Sequence, residues 1–235
     1  MIPLHDDNPT HSFPYLTITL IALCVLVYLW QMMLGPRGGA AVIYSLGVIP
    51  AVLLDRVQLN PELVVVPAQT TIFTSMFLHG GFMHLAGNML YLWIFGNNIE
   101  DAMGKFRFIL FYFVCGAAAV FGQVLQDPSS QIPMVGASGA ISGVLGAYLL
   151  IYPRARVLVV IPLWFYLELI RLPAGWVLGF WFVLQLVSSV LSDNAGGGVA
   201  FYAHIGGFIT GMMLVPVMKH KNVKLFQSGR SYRRW

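Results

Sequence analysis

Apolar residues fall along this chain in long blocks with few polar interruptions: Phe13 to Leu34, about Phe77 to Ile99, Phe106 to Leu125, Ser138 to about Tyr152, Pro173 to Leu191, and Val199 to Met218. A helix needs about 20 mainly apolar residues to cross a hydrocarbon core of roughly 30 Å. The pattern predicts an all-α, polytopic membrane protein: a six-transmembrane-helix bundle over 13–218, with a short tail at 1–12 and a basic tail at 219–235. Two further apolar stretches fall short of a span. Ala40 to Leu54 is interrupted by Gly47 and Pro50, and Val157 to Ile170 contains Pro162 and Glu168, so both are expected to be interfacial or re-entrant. The fourth block is also short, about 22 Å at 1.5 Å per residue. It follows Asp127-Pro128-Ser129-Ser130-Gln131-Ile132-Pro133, a run with turn chemistry. That run is expected to dip into the protein, so that Ser138 starts its helix below the outer surface beside a watered cavity.

Composition agrees with a lipid solvent, because 58% of residues are hydrophobic and 9% charged, against about 25% charged in a soluble domain. The net charge of +4 does not point to nucleic acid, since the basic residues lie between apolar blocks and at the C-terminus. Lys and Arg near span ends accumulate on the cytoplasmic side. Six spans and a cytoplasmic N-terminus put Lys105, Arg107, Arg154, Arg156, Arg171, Lys219, Lys221, Lys224, Arg230, Arg233 and Arg234 inside, and leave Arg37 and Arg56 outside. Promoting either doubtful stretch to a span would send the basic tail outward. The first block is too long for the core of a signal peptide and is expected to be a retained span. Cys24 and Cys115 sit in apolar blocks without CxxC spacing, which suggests neither a disulfide framework nor a metal site.

Polar side chains inside such blocks are expensive and mark functional sites. His79, His84 and Asn88 lie in the second block, Ser138 and Ser142 in the fourth, His204 in the sixth. Under the six-span topology all belong to the outer part of the bundle. On an ideal helix His84 and Asn88 are about 40° apart and share a face, whereas His79 is rotated by about 140° from His84 and is expected to be structural. His204, Gly207 and Gly211 form one stripe, and Gly139, Gly143 and Gly146 answer it, so the two helices are expected to approach closely and bring Ser138 near His204. A serine hydroxyl becomes a good nucleophile when a base takes its proton, and neutral imidazole is the usual base. The Asn88 amide, a ring N–H of His84 and the backbone N–H of Ser138 are suitable donors for an oxyanion. No Asp or Glu in the spans completes a triad, so the scheme is a Ser138–His204 dyad. There is no HExxH, no pair of intramembrane aspartates, and His79 and His84 do not share a face; neither a metal nor another cofactor is expected.

Gly136-Ala137-Ser138-Gly139, HGGFMHLAGNM around His79, His84 and Asn88, and AHIGGFITG around His204 together resemble the rhomboid family of intramembrane serine proteases, over about Phe13 to Met218. The resemblance implies Ser138 as nucleophile, His204 as base, and His84 and Asn88 assisting the oxyanion. FGNNIEDAMG resembles a junction of that family in which Glu100 is structural. Some members carry an aromatic residue four positions after the nucleophile, to stack on the histidine; here that position is Ser142. The implied substrates and partners are transmembrane segments of other proteins, admitted sideways from the lipid and cut near the outer face, with the plasma (inner) membrane of a prokaryote as the expected location. The Gly-rich loop 192–198 is expected to cap the site, and the fifth span, with Trp176, Trp181 and Phe182, to gate it. The alternatives are a non-catalytic binder of transmembrane helices and a small-solute transporter or channel; the spans carry no acidic residue to support the latter.

Overall fold

The computed structural model describes residues 1–163, 166–191 and 200–227. Strand β1 (Ile2–Asp6) leads into α1 (Tyr15–Met33), α2 (Gly35–Leu46) and the single-turn α3 (Pro50–Leu53) and α4 (Thr71–Thr74). An unbroken helical path over 82–103 follows, made of α5 (Phe82–Tyr91), a π-helical segment (Leu92–Gly96) and α6 (Asn97–Met103). Then come α7 (Lys105–Gln126), α8 (Ser138–Ile151), strands β2 (Arg156–Leu163) and β3 (Tyr166–Pro173), α9 (Ala174–Leu191) and α10 (Phe201–Met218). Four helices, α1, α7, α9 and α10, are long and apolar enough to cross a membrane, and α8 is a shorter apolar helix. The path over 82–103 is about 30 Å long at 1.5 Å per residue.

Small residues explain why α8 sits at the centre. Its Gly139 and Gly143 face Ala119 and Cys115 of α7, and its Gly146 faces the Phe208 carbonyl of α10. A Cβ on Gly207 or Gly211 of α10 would run into the carbonyl oxygens of Gly139 and Gly143. On the far side of the trio, Gly122 of α7 lies against the Tyr202 carbonyl and Gly206. Backbone therefore meets backbone along α7, α8 and α10, the arrangement that small-residue stripes permit in lipid. Around the far end of α8 the core turns aromatic, with Phe95, Phe108, Phe111, Tyr112, Tyr148 and Tyr152 all buried.

The all-α expectation needs one correction. The stretch Val157 to Ile170, expected to be interfacial or re-entrant, forms most of a β-hairpin, and the N-terminal tail adds a third strand, in the order β1-β2-β3. Ile2 pairs with Val160 and Asp6 with Val157, while Val157 and Val159 pair with Leu172 and Ile170. Val157-Leu158-Val159-Val160-Ile161 is rich in β-branched residues, which suit a pleated surface, and the two valines of one face, Val157 and Val159, are fully buried. Pairing within the hairpin satisfies a backbone too short to cross the membrane as helix.

Carboxylates on α6 tie down the N-terminal segment. Glu100 accepts from the N–H groups of Leu16 (3.0 Å) and Thr17 (2.8 Å) and from the Thr17 hydroxyl (2.8 Å), serving the first turn of α1, whose N–H groups have no helical partner. Asp101 takes the N–H groups of His11 and Ser12, each at 3.0 Å, and Asn98 Nδ2 donates to the Asn8 carbonyl at 2.9 Å. The structural role expected for Glu100 is therefore a cap delivered from another helix. At the same end Arg107 reaches the carbonyls of Met218 and Lys219, and His220 N donates to Ala102 O. Phe226 N and Gln227 N donate to the Leu150 and Ile151 carbonyls at the end of α8. Lys105, Arg107, Arg154, Arg156 and Lys219 thus gather at one end of the bundle. Arg56 lies at the other, where Ala51 N donates to Ser130 O. Arg230, Arg233 and Arg234 fall outside the described residues.

Candidate active site

Ser138 begins α8, with Ala137 at the cap position. The residue two before it, Gly136, has φ of 125°, in the region that favours glycine, and its N–H donates to the Ser75 carbonyl at 2.9 Å. A Cβ there would lie 2.7 Å from Nε2 of His84 and 3.6 Å from Nδ2 of Asn88. The bare turn is what lets the α5 side chains approach the start of α8. His84 Nδ1 accepts from Gly80 N at 3.4 Å, which assigns the ring proton to Nε2, the atom that faces Gly136. Asn88 Nδ2 is buried without a partner among the described residues. Two donors, neither with a partner among the described residues, therefore point toward the turn that carries Ser138, and a buried donor of this kind is completed by water or by a ligand in the cavity.

His204 lies on α10, 8% exposed. Its Nδ1 is 2.8 Å from Gln185 Oε1 on α9. With the Gln185 amide oxygen facing the ring, the contact favours the Nδ1–H tautomer, which keeps a lone pair on Nε2 as a general base needs. The ring also lies against Trp181, centroids 5.8 Å apart at 35°. That answers the question posed by Ser142, which fills the place of an aromatic residue and donates to the Ser138 carbonyl at 2.6 Å: the aromatic neighbour comes from α9 instead. Gln185 was the residue missed in the sequence, although an amide in the middle of an apolar block, four positions after Trp181, was a readable signal.

Ser138, Ser142, His84, Asn88, Trp181 and His204 line one cavity of about 880 Å³. Residues 130 and 132–135 line it as well, so the loop before α8 descends to the site as its turn chemistry suggested. Ser138 makes no side-chain hydrogen bond among the described residues, to His204 or otherwise; the two share the cavity without a hydrogen bond between them. His79 does not line it. It precedes α5 rather than lying on it, which removes the basis for its helical angle: the helix starts at Phe82, after Gly80-Gly81. Gln31 holds the His79 backbone by both N–H (3.2 Å) and carbonyl (3.3 Å), and the ring packs edge-on against His84 at 5.2 Å. Of the three aromatic residues expected to gate the site, Trp176 is 74% exposed and away from the cavity, Trp181 lines it, and Phe182 stacks on Phe208 at 4.4 Å. The cap expected of loop 192–198 lies outside the described residues.

A multi-pass integral membrane protein with histidine, asparagine and serine side chains in a cavity beside glycine-packed apolar helices is the class that fold and site define. Residues 67–221, well over half of the chain, match the family model described as Rhomboid domain, and the chain belongs to the rhomboid family, which includes serine proteases. It is 29% identical over 180 residues to the mitochondrial rhomboid protein 1 of Saccharomyces cerevisiae, covering 70% of this chain and 48% of the yeast protein. Similarity to the rhomboid protease GluP of Bacillus subtilis is 33% identity over 147 residues, 63% of this chain and 25% of that one. The chloroplastic rhomboid-like protein 11 of Arabidopsis thaliana is 29% identical over 160 residues, 63% of this chain and 52% of that protein. The chain thus spans about half or less of the length of these relatives.

Proposed function

We propose that this protein is an intramembrane serine endopeptidase in which Ser138 attacks and His204 is the base. The observation that carries this reading is that Ser138 and His204 line one cavity, with His204 Nδ1 2.8 Å from Gln185 Oε1; the Nδ1–H tautomer that this contact favours leaves Nε2 to accept. His204 Nε2 takes the hydroxyl proton as the Ser138 oxygen adds to the scissile carbonyl, then returns it to the leaving amine. The oxyanion is met by His84 Nε2–H, Asn88 Nδ2–H and the backbone N–H of Ser138, the last strengthened by the start of α8. In this reading all six apolar blocks cross the bilayer and form the working domain over 13–218, with tails at 1–12 and 219–235 on the cytoplasmic side. The substrates are transmembrane segments of other proteins, entering from the lipid past α9. A helix hides its carbonyls in internal hydrogen bonds, so segments with small or helix-breaking residues near the cut are favoured.

The test is cleavage of a transmembrane model substrate by the reconstituted protein. Ser138→Ala is expected to abolish cleavage and labelling by a fluorophosphonate probe while the variant keeps its unfolding temperature. Cleavage retained by purified Ser138→Ala would remove Ser138 from the mechanism. Wild-type protein that neither labels nor cleaves would favour a non-catalytic binder of transmembrane helices.

A further inference from the structure

The partner of His204 Nδ1 is carried by α9, the helix past which substrates enter in the proposed reading. α9 is anchored at its start, where Ala174, Val177 and Leu178 are buried, and beyond that it is mostly exposed, with Val183, Leu184, Val187, Val190 and Leu191 on the outside. What holds this later half against α10 is a short row of side chains: Trp181 against His204 and Phe208, Phe182 stacked on Phe208, and Gln185 on His204 Nδ1. Trp181 and Gln185 are four residues apart and so occupy one face of α9. His204 Nδ1 has no hydrogen-bond partner other than Gln185 among the described residues.

We propose that Gln185 is the positioning residue for His204, and that it makes the base competent only while the later half of α9 lies against α10. The proposal rests on the protease reading and adds its regulation. When α9 swings aside to admit a substrate, the imidazole loses both its Nδ1 acceptor and the face of Trp181. The ring is then free to turn, or to move its proton to Nε2, and in either state it cannot accept from Ser138. Return of α9 behind a bound substrate restores the Nδ1–H tautomer, so entry and chemistry are separated in time. The helix that opens the site also disarms it. A substrate that props α9 open is bound and not cut.

Protein labelled with ¹⁵N-histidine, with the His204 signals assigned by their loss in His204→Ala, reads the tautomer directly. Wild type is expected to show a protonated Nδ1 and an unprotonated Nε2 at neutral pH. Gln185→Leu is expected to give a mixture of tautomers and to lower kcat about 10- to 100-fold with KM changed less than about 3-fold, the pattern of a misdirected base. Gln185→Glu, which keeps an acceptor at that place, is expected to restore the Nδ1–H form. Phe182→Ala, which touches α10 and not His204, is expected to shift the tautomer in the same direction as Gln185→Leu. An unchanged His204 spectrum in Gln185→Leu, or a loss confined to KM, overturns the positioning role; an unchanged spectrum in Phe182→Ala overturns the coupling to α9. Neither spectrum depends on turnover, so failure here is distinct from failure of the Ser138→Ala test.

Discussion

Asn88 is the residue on which the oxyanion assignment is most exposed to test. Its Nδ2 has no partner among the described residues and lies at the cavity wall, where an oxyanion could accept from it. Asn88→Ala is expected to lower kcat by about 100-fold, the usual effect of losing one oxyanion donor, with KM little altered; a loss carried by KM alone would make Asn88 a binding residue. Single-turnover kinetics on a transmembrane substrate separates the two. That Ser138, His204, His84 and Asn88 would meet in one cavity was legible in the sequence because polarity within an apolar block is costly, and the glycine stripes indicated which helices would meet. The aim of Gln185 was not legible. It depends on how α9 is rotated about its axis against α10, and a helix with apolar residues all round carries no such information. The helical angle assigned to His79 failed for a local reason, since Gly80-Gly81 delays the helix to Phe82.

The α8–α10 contact is the element on which the site depends, and its glycines differ in what they tolerate. At Gly207 an added methyl group meets the carbonyl of Gly139, main chain that cannot step aside, whereas at Gly179 on α9 it meets nothing within 4 Å. Gly207→Ala is expected to cost about 1 to 3 kcal/mol and to lower the unfolding temperature in detergent, as overpacking does. Gly179→Ala should be neutral or slightly stabilising, since alanine is the better helix former by up to about 1 kcal/mol. Equal unfolding temperatures for the two variants would mean that the helices are held apart from each other in solution. The glycine pattern could be read in advance; the hairpin could not. A short apolar run is ambiguous between strand and buried helix, and the partner that completes the sheet, Ile2–Asp6, lies about 150 residues earlier in the chain.

On the scale of the whole molecule, the N-terminal strand is locked to the central helix through Asp6, to which the Tyr148 hydroxyl donates at 2.5 Å. Burial lifts the pKa of Asp6 from 3.8 to about 6, with the Tyr148 hydrogen bond opposing that rise. A proton held more tightly in the folded state means that the stabilising contribution is full below pH 3.8 and is lost as pH rises through about 6. Opening of β1 should therefore become easier across that window, by on the order of 2 to 3 kcal/mol at most. Amide exchange at residues 2–6 measures it, and Asp6→Asn, which keeps an acceptor for Tyr148, is expected to flatten the dependence; a pH-independent exchange rate in the wild type would contradict the account.

The final carbonyls of α8 are closed by Phe226 and Gln227, so the helix that begins with Ser138 is finished by residues about 75 positions further along the chain. A nascent chain halted after Met218 already contains every group the proposed chemistry uses, yet the far end of its central helix is unsealed. Truncation after Met218 should therefore loosen α8 from its far end, although every residue that lines the cavity is still present.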